Sequence, residues 1–418
     1  MNKLHGIGFV MLVLAGKLAA GEPARPDAFA IRDGDVAVFL GDSITAAGTY
    51  VKLVENYTLL RFPDREVRFI NAGFGGDTAE GGLKRLERDV LARGATLVVV
   101  AYGMNDIGWG VWADAEHKQK YLDAVRGIVG ACRKRKVRVY LCSAPITGAD
   151  PDKSEEGFLQ TMCDEGMALA RSLGERSIDV QREMRGIQKR VWAVNKAAKE
   201  ESHKVSMHAA DGAHLNELGH VAMAFAIVKG LGAPAEVSSV TLDAGQGRVV
   251  QAAGCTVRDI KTTRQQVEFT RLDAGLPLNY GLFFALHFRF VPFPDELNRY
   301  LLAVKNLPEG RYDVLADDRG VGSFTAGQLA AGVNIAFTTT DAWQPGGPWD
   351  AQAGVLRQLT EARHQLASAR LLSGLYFPGQ AERPPMGRQA EAVNSQIEEL
   401  QRSIARPRPY RFVIRPIR

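Results

Sequence analysis

Residues 38–48 read VFLGDSITAAG, an apolar run that stops on Gly41, Asp42 and Ser43 and passes at once into small and polar positions. Val38–Leu40 is apolar without alternation, as expected of a strand covered on both faces. A serine at the end of such a strand has two uses. Most often it caps the following helix, its oxygen accepting a backbone N–H that the first turn leaves free. It can also be a nucleophile, but only if a base elsewhere in the chain removes its proton.

Three more runs share this texture: VRFIN (67–71), TLVVVAYG (96–103) and VRVYLCSAPI (137–146), with a weaker one at RSIDVQ (176–181). Helical patterns separate them at 50–61, 79–94, 115–136 and about 154–173, and NELGHVAMAFAIVKGLG (216–232) closes the series. Strands alternating with helices of this length predict a parallel sheet covered on both faces with right-handed crossovers. Ligands of such sheets bind beyond the carboxyl ends of the strands. After residue 234 the pattern changes. SVTLDA, VEFTRL, LFFALHFRFVPF, the stretch 300–326 and GVNIAFTT read as short strands separated by turn residues, which predicts a small antiparallel sandwich. Two helical patterns follow at about 350–373 and 388–405, and PYRFVIRPI alternates like a strand returning to that sandwich.

The expected organisation is therefore a leader at 1–21, an α/β unit at 22–234, a β-rich unit at 235–349, a helical pair inserted at 350–405, and a terminal strand at 406–418. Lys3, the apolar core GIGFVMLVLAG (6–16) and the small residues Ala19, Ala20 and Gly21 fit an export signal, too short to span a bilayer. No other stretch is a membrane-span candidate, and a secreted or periplasmic protein is expected. The 418 residues are 46% hydrophobic and 24% charged, with a net charge of +5, the composition of an ordinary globular chain. Much of the basic excess lies in the last stretch and no nucleic-acid-reading motif accompanies it, so nucleic acid is not an expected partner. Cys132, Cys142, Cys163 and Cys255 show neither paired nor metal-ligand spacing and read as free thiols.

The ends of the first three runs carry Gly41-Asp42-Ser43, NAGFGGDT (71–78) and YGMND (102–106), and DGAHLNELGH (211–220) opens the last helix. Together they hold what acyl transfer from an ester requires. His214 is the candidate base for Ser43, and Asp211, three residues earlier, can hold the imidazole in one tautomer and stabilise its cation. The backbone N–H groups of Ser43 and Gly76 and the side-chain amide of Asn105 are candidate donors to the oxyanion. Glycine suits position 76 because substrate and backbone must approach closely there.

These blocks resemble the GDSL/SGNH hydrolases: GDSI around Ser43, Gly76 in GGDT, Asn105 in GMND, and Asp211 and His214 in DGAH. The resemblance covers residues 33–234 and looks closest to the secreted bacterial branch. It implies a three-layer α/β/α flavodoxin-like domain and the roles just argued. The β-rich unit and the helical pair lie outside it.

Asp42 and Asp106 adjoin these positions and read as residues that tie loops to neighbouring backbone. Trp109 and Trp112 are expected to overhang the cleft, either stacking on substrate or packing the loop. His220 reads as structural, and His203 and His208 as loop or surface residues. No metal site or cofactor is expected. The function that follows is a serine esterase acting on O-acyl, chiefly O-acetyl, esters of carbohydrate. A lysophospholipase, an arylesterase or an acyltransferase would use the same residues. An inactive glycan-binding protein is the alternative of another class. The partner is a small-molecule or glycan ester, and the sequence leaves the oligomeric state open.

Overall fold

Residues 97–101, LVVVA, are buried at every position. Such a run needs apolar cover on two sides, and the computed structural model supplies it. The structure describes residues 29–148, 150–153, 157–263, 266–341, 343, 346–376 and 385–417. The expected leader at 1–21 lies outside them. Strands β1 (Val36–Gly41), β2 (Arg68–Gly73), β3 (Leu97–Ala101), β4 (Arg138–Cys142) and β5 (Arg176–Ile178) form a parallel sheet in the order β2-β1-β3-β4-β5.

The intervening helices are α1 (Ser43–Ala47), α2 (Thr49–Arg61), α3 (Ala79–Asp89), α4 (Ala115–Lys134), α5 (Phe158–Ser172), α6 (Val180–Ala197) and α7 (Glu217–Gly230). Alternate residues of each strand feed different cores, as the period of two requires. Phe39, Leu97 and Val99 join Val54 of α2, Ile187 of α6 and Phe225 of α7. Val38, Leu40, Val98 and Val100 join Leu86 of α3, Ile128 of α4 and Met162 of α5. The result is the α/β/α sandwich of the expected flavodoxin-like class. Its chain order reverses between β1 and β3, and open parallel sheets place their ligands at such a switch point. The side chains of Thr78, Asp114, Asp179 and Asn216 cap α3, α4, α6 and α7. Each such cap contributes about 1 kcal/mol.

The C-terminal domain departs from the expected sandwich in three respects. It holds β6 (Glu236–Asp243), β7 (Arg248–Ala253), β8 (Cys255–Thr262), β9 (Val267–Asp273), α8 (Leu282–Ala285), α9 (Phe293–Glu296), β10 (Arg299–Lys305), β11 (Arg311–Ala316), β12 (Arg319–Thr325), α10 (Ala326–Ala331) and β13 (Val333–Asn334). First, its four-stranded sheet is mixed, because β10 runs parallel to β6. Second, residues 282–293 are helical turns, not a strand. Phe284 and Phe288 meet four residues apart with ring centroids 5.2 Å from each other, a helical spacing hidden in an aromatic-rich run. Third, GVNIAFTT pairs only at two residues. There the Asn334 carboxamide replaces the ladder, accepting from Tyr300 N and Ala336 N and donating to the Pro294 and Asn298 carbonyls.

The chain continues through α11 (Pro348–Tyr376) and α12 (Pro385–Ala405) to β14 (Tyr410–Pro416), which pairs between β9 and β11 in the second sheet. The apolar core of this domain runs without a break into that of α2 and α7; Phe293 packs edge-on against Tyr57 at 6.0 Å. Cys132, Cys142, Cys163 and Cys255 are all free.

A buried polar cluster docks the helical pair on α2. Glu55 accepts from Arg363 at 2.5 Å, lies 2.9 Å from His364 Nε2, and accepts from Gln401 Nε2 at 2.8 Å. Burial alone would raise the Glu55 carboxyl, but Arg363, His364 and Gln401 outweigh it and hold it at about 2. A group so depressed stabilises the fold above its unfolded value near 4.5 and loses that contribution as pH falls toward 2. Denaturant titrations of the wild type should thus show stability falling across that window. In Glu55→Gln the same window should be flatter, and parallel profiles would mean that the cluster contributes no proton-linked stability.

Candidate active site

Ser43 is not the cap of its helix. Asp42 takes that place, its Oδ1 accepting from Ile44 N at 3.0 Å, so the serine hydroxyl on the next residue is released from capping. Gly41 before it has no room for a side chain, since a Cβ would lie 2.7 Å from the Ala101 carbonyl of β3 and 2.2 Å from Thr45. The glycine, acid and serine thus have separate causes: close approach, capping and exposure of a hydroxyl.

That hydroxyl meets the loop before α7. Ser43 Oγ lies 2.9 Å from His214 Nε2, and His214 Nδ1 lies 2.6 Å from Asp211 Oδ2. A carboxylate only accepts, so Nδ1 carries the proton and Nε2 is free to accept from the serine. The other Asp211 oxygen accepts from Ala213 N and His214 N, both at 2.9 Å. One carboxylate therefore folds the loop and orients the ring. Bonds from His214 and from these two amides hold its carboxyl down at about 2, so it stays ionised. The loop is secured further by the bridge between His208 and Leu215 and by Asn216, which donates to the Ser206 carbonyl while capping α7. His208 was expected in a loop or at the surface, and it does lie in this loop. It is buried, with Nε2 3.0 Å from the Ile146 carbonyl, because it braces this loop against the end of the sheet. His220 is buried in helix packing and stacked on Tyr50, and burial lowers its pKa to about 4.

Asn105 and Trp109 line a cavity of about 20 Å³ together with Ser43, Pro145, Thr147 and His214. Gly76 and Asp106 are not on its wall, but they belong to the frame around it. Gly76 has φ +73°, a conformation that favours glycine, and a Cβ there would meet nothing within 4 Å. Its backbone conformation, not crowding within the fold, explains the residue. The loop is fixed on both sides of Asp77: Asn105 Nδ2 donates to the Asp77 carbonyl at 2.9 Å, and Asp106 Oδ1 accepts from Ala79 N at 2.9 Å. Burial pushes the Asp42 carboxyl up to about 6 and that of Asp106 up to about 7. Trp109 reaches the cavity, its ring 5.4 Å from that of His214. Trp112 does not; it stacks on His117 of α4 at 5.4 Å.

Arg85 of α3 was not singled out by its sequence. Its side chain is 10% exposed and its guanidinium donates to the Gly41 and Ala72 carbonyls, to Tyr102 Oη and to Asp77. One planar fork thus ties together the carboxyl ends of β1 and β2 and the residue after β3. The only local sign is its i,i+4 spacing to Asp89, which many surface pairs share.

The class of the domain follows from this site and from the family comparison. Residues 39–222 match the model of the GDSL-like lipase/acylhydrolase family, and this match supports an ester hydrolase. No curated protein matches it. Among solved structures, a gut microbial diltiazem-metabolizing enzyme is 23% identical with a TM-score of 0.78, over 93% of this chain and 100% of that one. Its fold therefore spans both the α/β unit and the C-terminal domain. An acetylxylan esterase from Geobacillus stearothermophilus is 20% identical with a TM-score of 0.40, over 49% of this chain and 96% of that one. An alpha/beta hydrolase from the metagenome of Lake Arreo, Spain, is 23% identical with the same TM-score of 0.40, over 49% and 98%.

Replacing Arg85 by methionine should leave the buried Asp77 carboxylate with the Tyr102 hydroxyl but without its cation, and cost about 3 kcal/mol in denaturant unfolding. Lysine should recover only part of that loss, since a point charge cannot serve four acceptors at once. A methionine variant as stable as the wild type would remove Arg85 from this role.

Proposed function

We propose that this hydrolase cleaves short O-acyl esters, O-acetyl above all, through an acyl-Ser43 intermediate, with carbohydrate carrying the ester. The observation that carries the reading is the unbroken Ser43–His214–Asp211 chain, 2.9 and 2.6 Å, on the rim of a cavity of only about 20 Å³. A space of that size holds about one water-sized group, enough for an acetyl methyl.

Ser43 Oγ attacks the ester carbonyl carbon while its proton passes to His214 Nε2, and Asp211 stabilises the imidazolium. The carbonyl oxygen becomes an oxyanion, for which the Ser43 and Gly76 amides and Asn105 Nδ2 are the donors. Collapse breaks the bond to the alcohol, which leaves with the proton from His214. Water then attacks the acyl carbon, giving its proton to the same nitrogen, and the carboxylic acid departs as Ser43 regains its hydrogen. Asp211 and His214 have side chains about 40% exposed, which leaves them open to water. Phe74 exposes an aromatic face near the rim and suits the apolar face of a sugar ring. The leader read at residues 1–21 supports export. Among the described residues no helix is long and apolar enough to cross a membrane.

Ser43→Ala should reduce p-nitrophenol release from p-nitrophenyl acetate by at least about 1000-fold while leaving the fold intact. An unchanged rate would leave only a binding role. Across p-nitrophenyl esters from acetate to octanoate, kcat/KM should fall with chain length, and acetylated polysaccharides should release acetate.

A further inference from the structure

We propose that Trp109 is a positioning residue whose indole N–H fixes the direction of the Asn105 carboxamide, keeping one amide hydrogen free for the oxyanion. The proposal rests on the reading of Asn105 as an oxyanion donor. A carboxamide has two ends of nearly equal size and opposite hydrogen-bonding character, so it needs partners that tell them apart. Asn105 has one such partner at each end. Trp109 Nε1, which can only donate, lies 2.9 Å from Oδ1, and the Asp77 carbonyl, which can only accept, lies 2.9 Å from Nδ2. Turning the amide over would set two donors against each other and two acceptors against each other. In the observed orientation one Nδ2 hydrogen goes to Asp77 and the second has no assigned partner, on a residue that lines the cavity beside Ser43.

The backbone gives an independent reason to look for function here. Trp109 sits at φ 60° and ψ 29°, in the left-handed region, where a bulky side chain is a rare and strained outlier. Its flanking residues Gly108 and Gly110 also have positive φ, and Trp109 N donates to the Met104 carbonyl at 3.0 Å. This bend turns the chain back so that the indole reaches the side chain four residues earlier. Burial does not account for the arrangement, because the tryptophan remains 46% exposed. The same ring stands edge-on to His214, with 5.4 Å between centroids. Trp109 thus touches the residue assigned as donor and the residue assigned as base.

The test is a double-mutant cycle on the full chain with p-nitrophenyl acetate. Trp109→Phe keeps an aromatic ring and removes the N–H. It should lower kcat about tenfold with KM within twofold and the melting temperature unchanged. Asn105→Ala should lower kcat more, and adding Trp109→Phe to it should cause no further loss, since nothing remains to be oriented. If the phenylalanine variant does not fold, Trp109→Leu takes its place in the cycle. Wild-type kcat in the single variant, or a full tenfold loss persisting on the Asn105→Ala background, would overturn the proposal. A raised KM with unchanged kcat would do so as well, making the ring a substrate platform. Ser43→Ala in the same assay separates the two readings. If it is inactive while Trp109→Phe behaves as wild type, only the positioning role fails; if it is active, the acyl-serine reading fails first.

Discussion

Three strands end at one rim of the sheet, and their ends are held in register by the guanidinium of Arg85. That contact is the constraint on which the site depends. Gly41 brings Asp42 and Ser43, the chain beyond Ala72 brings Gly76 and Asp77, and the chain beyond Tyr102 brings Asn105; the fork reaches all three segments. A parallel sheet fixes the spacing of its strands through backbone bonds, but the loops beyond the last paired residue are free of that ladder. Arg85 fastens the paired ends of β1 and β2 to Tyr102 and Asp77 just beyond the ladder, next to the region where positions must hold within about 0.5 Å. The His214 loop is secured by other means, through Asp211, His208 and Asn216, and meets the rim from the side of α7.

Much of the rest of the chain works at a distance from this rim. The C-terminal domain shares its apolar core with α2 and α7, and α2 begins directly after the helix that bears Ser43. The Glu55 cluster fixes the helical pair against the same helix. A buried, fully paired carboxylate adds little net stability compared with an apolar contact, but it penalises any other docking of the two helices. The accessory elements thus set where α2 lies, and α2 backs the Ser43 turn.

The sequence showed some of this plainly and hid the rest for physical reasons. The parallel sheet was legible because doubly covered strands are apolar throughout, as in LVVVA, and because helices separate them at regular intervals. Ser43, Asp211, His214 and Asn105 stood out because each lies in a short block at a strand end or loop, where local composition signals a turn. Arg85 was illegible, since nothing within its own helix reveals that its acceptors lie on three other segments. The same holds for Trp109, whose meaning depends on a left-handed bend, and for Glu55, whose partner Arg363 is 308 residues away. Residues 282–293 misled for a different reason: phenylalanine favours strands in general, yet here Phe284 and Phe288 pair at the i,i+4 spacing of a helical turn. Asn334 was hidden too, because a side chain there substitutes for backbone pairing.

The central claim is that the hydroxyl of Ser43 forms a covalent bond during turnover, with His214 taking its proton. A fluorophosphonate reacts with an activated serine and stays attached, so the modified residue can be read by peptide mass mapping of the intact chain. The account predicts one adduct, on the peptide containing Ser43, formed rapidly in the wild type and at least about 100-fold more slowly in His214→Ala. An adduct on another residue, or equal labelling with and without the imidazole, would contradict it.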